Sequence, residues 1–208
     1  MSLVQIILVV IVAFIIGCSS VNDQIETYQP VVACSLIGLV TGHLELGVML
    51  GGSLQLITMG WANVGAAMAP DASLAAVAST IILILGGQGA KGIGPAIALA
   101  VPLAVAGLAL TMFVRTATVF IAHAMDSRAE AADIAGIERW HFIGMVLQGL
   151  RVAIPALLLL LIPAHIVQTG LEAMPEWLTS GMTIGGGMVV AVGYAMVINM
   201  MSSREVWP

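Results

Sequence analysis

Apolar residues in this chain run in long unbroken stretches, not in the alternating or three-to-four-residue stripes of a half-buried strand or helix. The stretches fall at about residues 3–21, 31–42, 44–60, 73–86, 93–122, 141–167 and 181–201. A helix needs about 20 apolar residues to cross a hydrocarbon core of about 30 Å, so the chain has room for roughly six or seven membrane segments. Their lengths are uneven. Stretches 31–42 and 73–86 are too short to span comfortably, and 44–60 is interrupted by Gly51 and Gly52. This predicts re-entrant or discontinuous helices, which survive at membrane depth where protein or a water-filled cavity satisfies the freed backbone groups. Stretch 93–122 reads either as one tilted helix or as a pair around Pro95 and Pro102. The expected fold is an all-α integral membrane protein, a polytopic helical bundle with short re-entrant or discontinuous helices, forming a single membrane domain over 1–208.

The first stretch has no basic segment before it and is followed by many more, so it reads as a retained helix and not a cleaved signal. The only long polar segment, "HAMDSRAEAADIAGIERW" at 123–140, has the Ala, Glu and Arg content of a short surface helix. Its Arg128 and Arg139 place it on the cytoplasmic side by the positive-inside rule.

Composition sharpens this picture. The chain is 60% hydrophobic and 8% charged, against about a quarter charged in a soluble domain. Lipid is therefore its solvent. A net charge of −5 with scattered arginines leaves no basic patch, which excludes a nucleic-acid partner. Cys18 and Cys34 lie at or inside apolar segments, where thiols serve as small hydrophobes, and no disulfide is expected.

Against that background the stretch "GWANVGAAMAPDASLA" at 60–75 stands out. A polar side chain in a membrane segment is costly and needs a partner, a cavity or a function. Gln55 offers two donors and an acceptor, suited equally to a sugar hydroxyl and to an interhelical amide bond. Trp61 and Asn63 follow the helix-loosening Gly60, and an indole face beside an amide fits the rule of apolar pocket walls with a few placed polar groups; Trp is also common in interfacial belts. Asp71, after Pro70, fits the N-cap of the next helix, and a cap at a buried helix end can also border a substrate site. Asp23 and Glu26 would share a face if the first helix continued, but the polar run "SSVNDQIETYQ" and Pro30 indicate a break, leaving them as solvated loop acids or pocket lining. Arg115 and Arg151 lie within apolar stretches and are expected to snorkel or to pair with an acid.

No residue announces catalysis. The four histidines, His43, His123, His141 and His165, have no metal-ligand spacing, and no nucleophile elbow or zinc-protease motif occurs. "GGQGAKGIGP" at 86–95 lacks the Gly-Lys-Ser/Thr ending of a phosphate-binding loop and reads as a glycine-rich turn. No cofactor or metal is expected, and any chemistry falls to a partner. The stretches "GGSLQLITMGWAN" and "GGGMVVAVGYAMVIN" echo each other from paired glycines to Gly-aromatic-Ala and Asn or the near equivalent. Such an echo is the mark of a transporter site at a repeat interface, or simply of glycines packing helices.

The long stretch "PVVACSLIGLVTGHLELGVMLGGSLQLITMGWANVGAAMAPDASLAAVASTIILILGGQG" resembles the signature region of the IIC component of the mannose/fructose/sorbose family of the phosphoenolpyruvate-dependent sugar phosphotransferase system. "AIALAVPLAVAGLALTMFVRT", "LQGLRVAIPA" and "GGGMVVAVGYAMVINMM" agree with it, so the resemblance covers almost the whole chain. It implies a multi-pass permease subunit in the bacterial cell membrane that works with a IID membrane subunit as a hetero-oligomer. Cytoplasmic IIA and IIB carriers relay phosphate, and IIB phosphorylates the sugar. Similar subunits also serve as docking receptors for class II bacteriocins. The resemblance carries the polar membrane positions onto Asp23, Gln55, Trp61, Asn63 and Asp71: Gln55 and Asn63 on sugar hydroxyls, Trp61 on the ring, Asp23 lining the site from the first helix, Asp71 a cap at its margin.

This chain departs from the family pattern twice. It has "GCSSVNDQ" at 17–24 where relatives read Gly-Met-x-x-Ile-Leu-Asp-Glu, so Asp23 is kept and its acidic neighbour becomes Gln24, which bears on sugar preference. It also stops at "SSREVWP", where such subunits continue through further apolar sequence, so a C-terminal truncation is expected. Two other classes stay open on the residues alone: an ion-coupled secondary transporter using Asp23 or Asp71, and a non-transporting bacteriocin receptor or assembly remnant.

Overall fold

The computed structural model describes residues 1–22, 26–59 and 68–202, and among these it contains helices and turns but no strand. The first helix, α1 (Leu3–Asn22), opens on a reciprocal cap. Gln5 N donates to Ser2 Oγ at 3.2 Å and Ser2 N to Gln5 Oε1 at 2.8 Å, which satisfies donors that a helix start otherwise leaves free.

Helices α2 (Pro30–Thr41) and α3 (Leu44–Thr58) form a tight hairpin. Pro30 starts α2 where its missing N–H costs nothing, and Gly42, at φ 82, ends it in the left-handed conformation. At 1.5 Å per residue the two helices reach only about 18 and 22 Å, short of a full span, as the apolar length of 31–42 predicts for α2. The hairpin folds back along α1: Gln5 Nε2 donates to Thr41 O at its tip, 3.3 Å away. Gly51 and Gly52 do not interrupt α3, contrary to the sequence expectation. A Cβ on Gly51 would lie 2.8 Å from Pro30 O and 2.9 Å from Val31 Cα, so this glycine, like Gly47 one turn before it, is a point where α2 and α3 touch backbone to backbone.

Helix α4 (Ala72–Gly86) is the centre of the molecule. Every residue from Ser73 to Ile81 is buried, packed by α2 and by the later helices α5 (Ile93–Glu130), α6 (Ile134–Leu161) and α7 (Ala164–Glu172). A helix apolar on all sides must be surrounded by protein or lipid, and here protein surrounds it. The glycine-rich segment after α4 turns through Gly87 and Gly89, both at positive φ, into a short 3-10 turn, Gly89–Gly92.

Stretch 93–122 is one helix, not a pair. Pro95 falls in the first turn and Pro102 is accommodated inside α5. The polar segment 123–140 is not a separate surface helix either. Helix α5 runs on through Glu130, and α6 begins at Ile134 after a turn in which Ala132 has φ 52. Ala, Glu and Arg all propagate a helix, and no Gly or Pro stands before Gly136 to stop it. Asp133 caps α6 by accepting from Gly136 N at 3.0 Å, and Arg128 pairs with it at 3.2 Å.

Helix α1 lies against α6 at another close approach, where a Cβ on Gly17 would fall 2.9 Å from Gly149 Cα. The last helix among the described residues is α8 (Glu176–Ser202), packed on α3 and α5. Among the described residues three helical stretches are long and apolar enough to cross a membrane: α1, the segment Gly89–Glu130, and α6. Their outer faces carry large apolar side chains: Ile7, Ile11 and Ile15 on α1, and Phe113 and Phe120 on α5, which are 70% and 75% exposed. Such a continuous apolar surface suits lipid, not water.

Candidate functional site

A cavity of about 450 Å³ opens where the short helices end. The N-termini of α2 and α4 both reach it, as do the C-terminal turns of α1 and α3 and the middles of α5 and α6. Helix N-termini carry unpaired N–H groups and a partial positive charge, and half-helices ending inside a membrane protein are how transporters build polar sites near the midplane.

Asp71 holds the α4 end. Its Oδ1 accepts from Ser73 N at 3.0 Å, Leu74 N at 3.2 Å and Ser73 Oγ at 2.5 Å, the N-cap that its position after Pro70 predicts. Its Oδ2 forms an ion pair with Arg151 Nη1, and Thr111 Oγ1 lies 3.0 Å from the same oxygen. Arg151 Nη1 also donates to Thr111 Oγ1 at 2.5 Å, and its Nη2 to Ser20 Oγ at 3.2 Å. One guanidinium thus joins α1, α4, α5 and α6. Helix α5 can approach this closely because residue 107 is glycine: a Cβ there would sit 2.7 Å from Asp71 Cβ. The pair is almost fully enclosed, with side chains 5% and 6% exposed. Arg151 Nε is buried with no hydrogen-bond partner among the described residues. Burial is tolerable because each charge finds the other and most remaining polar atoms are satisfied.

Gln55 holds the α2 end. The N-cap residue of α2, Gln29, makes no side-chain cap bond; instead Gln55 Oε1, from α3, accepts from Val31 N at 3.3 Å. Gln55 Nε2 donates to Gln29 Oε1 at 2.8 Å, and Gln29 Nε2 donates to Glu26 Oε2 at 3.0 Å.

Two residues singled out from sequence, Gln55 and Asp71, therefore stand on one cavity wall. Trp61, Asn63 and Asp23 lie outside the described residues. Of the two arginines, Arg151 pairs with an acid, whereas Arg115 is exposed on the cavity rim. Sequence reasoning missed Ser20, Gln29, Thr58 and Thr111. Hydroxyls in apolar helices usually bond the carbonyl one turn back, as Thr111 does to Gly107 O at 2.9 Å, so only a burial partner such as Arg151 distinguishes them. A second, mostly apolar cavity of about 290 Å³, walled by Trp140, His141 and Met125, adjoins the first and shares Val21 and Gln148 with it. Among the described residues no group of three His, Cys, Asp or Glu could hold a metal ion.

Comparison with known proteins agrees with this architecture over the full length. The family model EII-Sor, PTS system sorbose-specific IIC component, matches residues 3–208. The chain is 54% identical to the fructose permease IIC component of Bacillus subtilis (strain 168), covering 97% of this chain and 74% of that protein. It is 48% identical to the mannose-specific EIIC component of Escherichia coli (strain K12), covering 98% of this chain and 76% of that protein. Among solved structures, a cryo-EM structure of the mannose transporter ManYZ in complex with microcin E492 matches with 47% identity and a TM-score of 0.74, over all of this chain and 83% of the other. A chain described as a membrane protein matches at 46% identity and a TM-score of 0.84, with the same coverage. With its apolar spans and these relatives, this is a multi-pass bacterial membrane protein, and the chain belongs to the family of sorbose-specific IIC components of the sugar phosphotransferase system.

Proposed function

We propose that the 450 Å³ cavity is the sugar site of this IIC component, and that the chain carries a hexose or amino sugar inward together with a IID subunit while a IIB partner phosphorylates it. Residues 1–208 act as a single permease domain, and phosphoryl transfer belongs to the IIA and IIB carriers. The volume falls within the roughly 300–1,000 Å³ of small-molecule pockets. Gln55 and Asn63 bond sugar hydroxyls, Trp61 packs on the ring, Asp23 lines the site from the end of α1, and Asp71 stays at the margin as cap and ion-pair partner.

The observation that carries this reading is the state of the Gln55 amide. It has four hydrogen-bonding positions, two donor and two acceptor. Among the described residues Val31 N–H takes one acceptor position and Gln29 one donor, which leaves one of each on the cavity wall. A hydroxyl both gives and takes, so it matches that remainder. The presence of a mannose transporter among the structural relatives supports a hexose.

Membrane vesicles holding this chain with the IIA, IIB and IID proteins are expected to take up and phosphorylate mannose from phosphoenolpyruvate. Uptake and phosphorylation that survive deletion of this subunit would sink the reading. Sugar flux through the purified chain alone, indifferent to phosphoenolpyruvate, would establish an ion-coupled transporter in its place.

A further inference from the structure

Gln55 touches sugar, on the reading above, through whichever amide atoms its neighbours leave free, so the direction of the amide matters. An amide turned by half a rotation exchanges its donor for its acceptor. Two groups of fixed polarity settle the direction here. At one end stands the backbone N–H of Val31, which can only donate; it lies 3.3 Å from Gln55 Oε1. At the other stands the Glu26 carboxylate, acceptor-only when ionised, 3.0 Å from Gln29 Nε2. Between them Gln55 Nε2 meets Gln29 Oε1 at 2.8 Å. Flipping either glutamine sets oxygen against oxygen or N–H against N–H, and flipping both spoils both ends.

Glu26 occupies a costly backbone position. Its φ is 59, the left-handed region that costs a non-glycine residue roughly 1–2 kcal/mol. A turn in which Gln29 N donates to Glu26 O at 2.9 Å holds it there, placing its carboxylate beside the Gln29 amide. Glycine would relieve the backbone; only glutamate's carboxylate completes the relay.

We infer that Gln29, oriented by Glu26, is a positioning residue that fixes the direction of the Gln55 amide and so sets which hydroxyl orientation of a neutral hexose the cavity accepts. This rests on the sugar-site reading of the same cavity. Gln29 acts through Gln55: it holds the Gln55 N–H that faces it and thereby places the remaining donor and acceptor against the sugar.

The test uses the complete system in membrane vesicles, with mannose and glucose, which differ at one hydroxyl, as the probes. The readout is the ratio of kcat/KM for the two epimers. Gln29→Leu and Gln55→Leu are each expected to change that ratio by about tenfold, the equivalent of about one hydrogen bond. The double variant is expected to change it no further, because residues of one network are not additive. Glu26→Gly is expected to shift the ratio in the same direction by about threefold at normal membrane levels of protein, since it removes a hydrogen bond while easing the backbone. It therefore keeps the inference testable where Gln29→Leu fails to assemble. An equal loss of uptake for both epimers, or fully additive shifts in the double variant, would overturn it. Absence of phosphoenolpyruvate-dependent uptake by the unaltered complex would overturn the sugar reading itself; active transport with an unchanged ratio in every variant would overturn this assignment alone.

Discussion

At the scale of single residues, the buried ion pair between Asp71 and Arg151 is the strongest constraint on the site. Removing one charge strands the other in a low-dielectric interior, whereas removing both leaves an ordinary polar contact. Arg151→Gln is therefore expected to destabilise the protein by about 3–5 kcal/mol, and the double change Asp71→Asn with Arg151→Gln to recover most of that loss. Thermal unfolding of the purified protein in detergent distinguishes these outcomes; a double variant as unstable as the single one would mean the pair is not what stabilises the site. From sequence, Asp71 was legible as a cap because it follows Pro70 and precedes an apolar run. Its ionic partner was not, because 80 residues separate the two and an arginine in an apolar helix has several ways to hide its charge.

At the scale of elements, the glycines of α3 give a sharp contrast between neighbours. Gly51 faces α2, and a methyl group there would lie 2.8 Å from Pro30 O, against backbone that cannot yield; Gly52 has nothing within 4 Å among the described residues. Gly51→Ala is expected to cost about 1–3 kcal/mol by overpacking, while Gly52→Ala is expected to gain about 0.5–1 kcal/mol from the helix interior. Melting temperatures of the two variants in detergent should move in opposite directions, and equal shifts would contradict the packing. The same pair shows why elements were only partly legible. Apolar run lengths located most of the helices, since length against bilayer thickness is a one-dimensional quantity, and they marked 31–42 as too short to span; the single stretch 141–167, however, divides at Pro163 into α6 and α7, because proline cannot continue the helix before it. A glycine pair signifies either a break or a close approach, and only the opposing helix says which. The polar segment 123–140 misled for a related reason. Its polarity marked an exit from lipid, but its residues are good helix formers, so α5 and α6 extend beyond the apolar stretches and meet at a three-residue turn.

At the scale of the whole molecule, the cavity's depth follows from α5. This helix has 38 residues, about 57 Å at the standard rise, well beyond the roughly 30 Å of hydrocarbon. Thr111, with Arg115 one turn on, falls inside the apolar stretch 93–122 of this helix, so the cavity is expected within the apolar slab, the depth at which alternating-access proteins keep their substrate. The last turns of α5, from His123 onward, carry Asp126, Arg128 and Glu130 and project out of the apolar slab with the turn into α6. Arg128 and Arg139 flank that turn, and cations near segment ends set orientation more strongly than acids do, so the turn is expected on the cytoplasmic side, the side from which a soluble phosphoryl carrier would reach the cavity. A cysteine replacing the exposed Ser127 is therefore expected to react with a membrane-impermeant maleimide in inside-out vesicles and to be protected in intact cells. The unaltered protein serves as its control, because Cys34 is fully buried and Cys18 is packed against α6, with its thiol 3.4 Å from Met145 O. Labelling from outside intact cells would invert the orientation and place the α5–α6 turn on the sugar-entry side, away from any cytoplasmic phosphoryl donor.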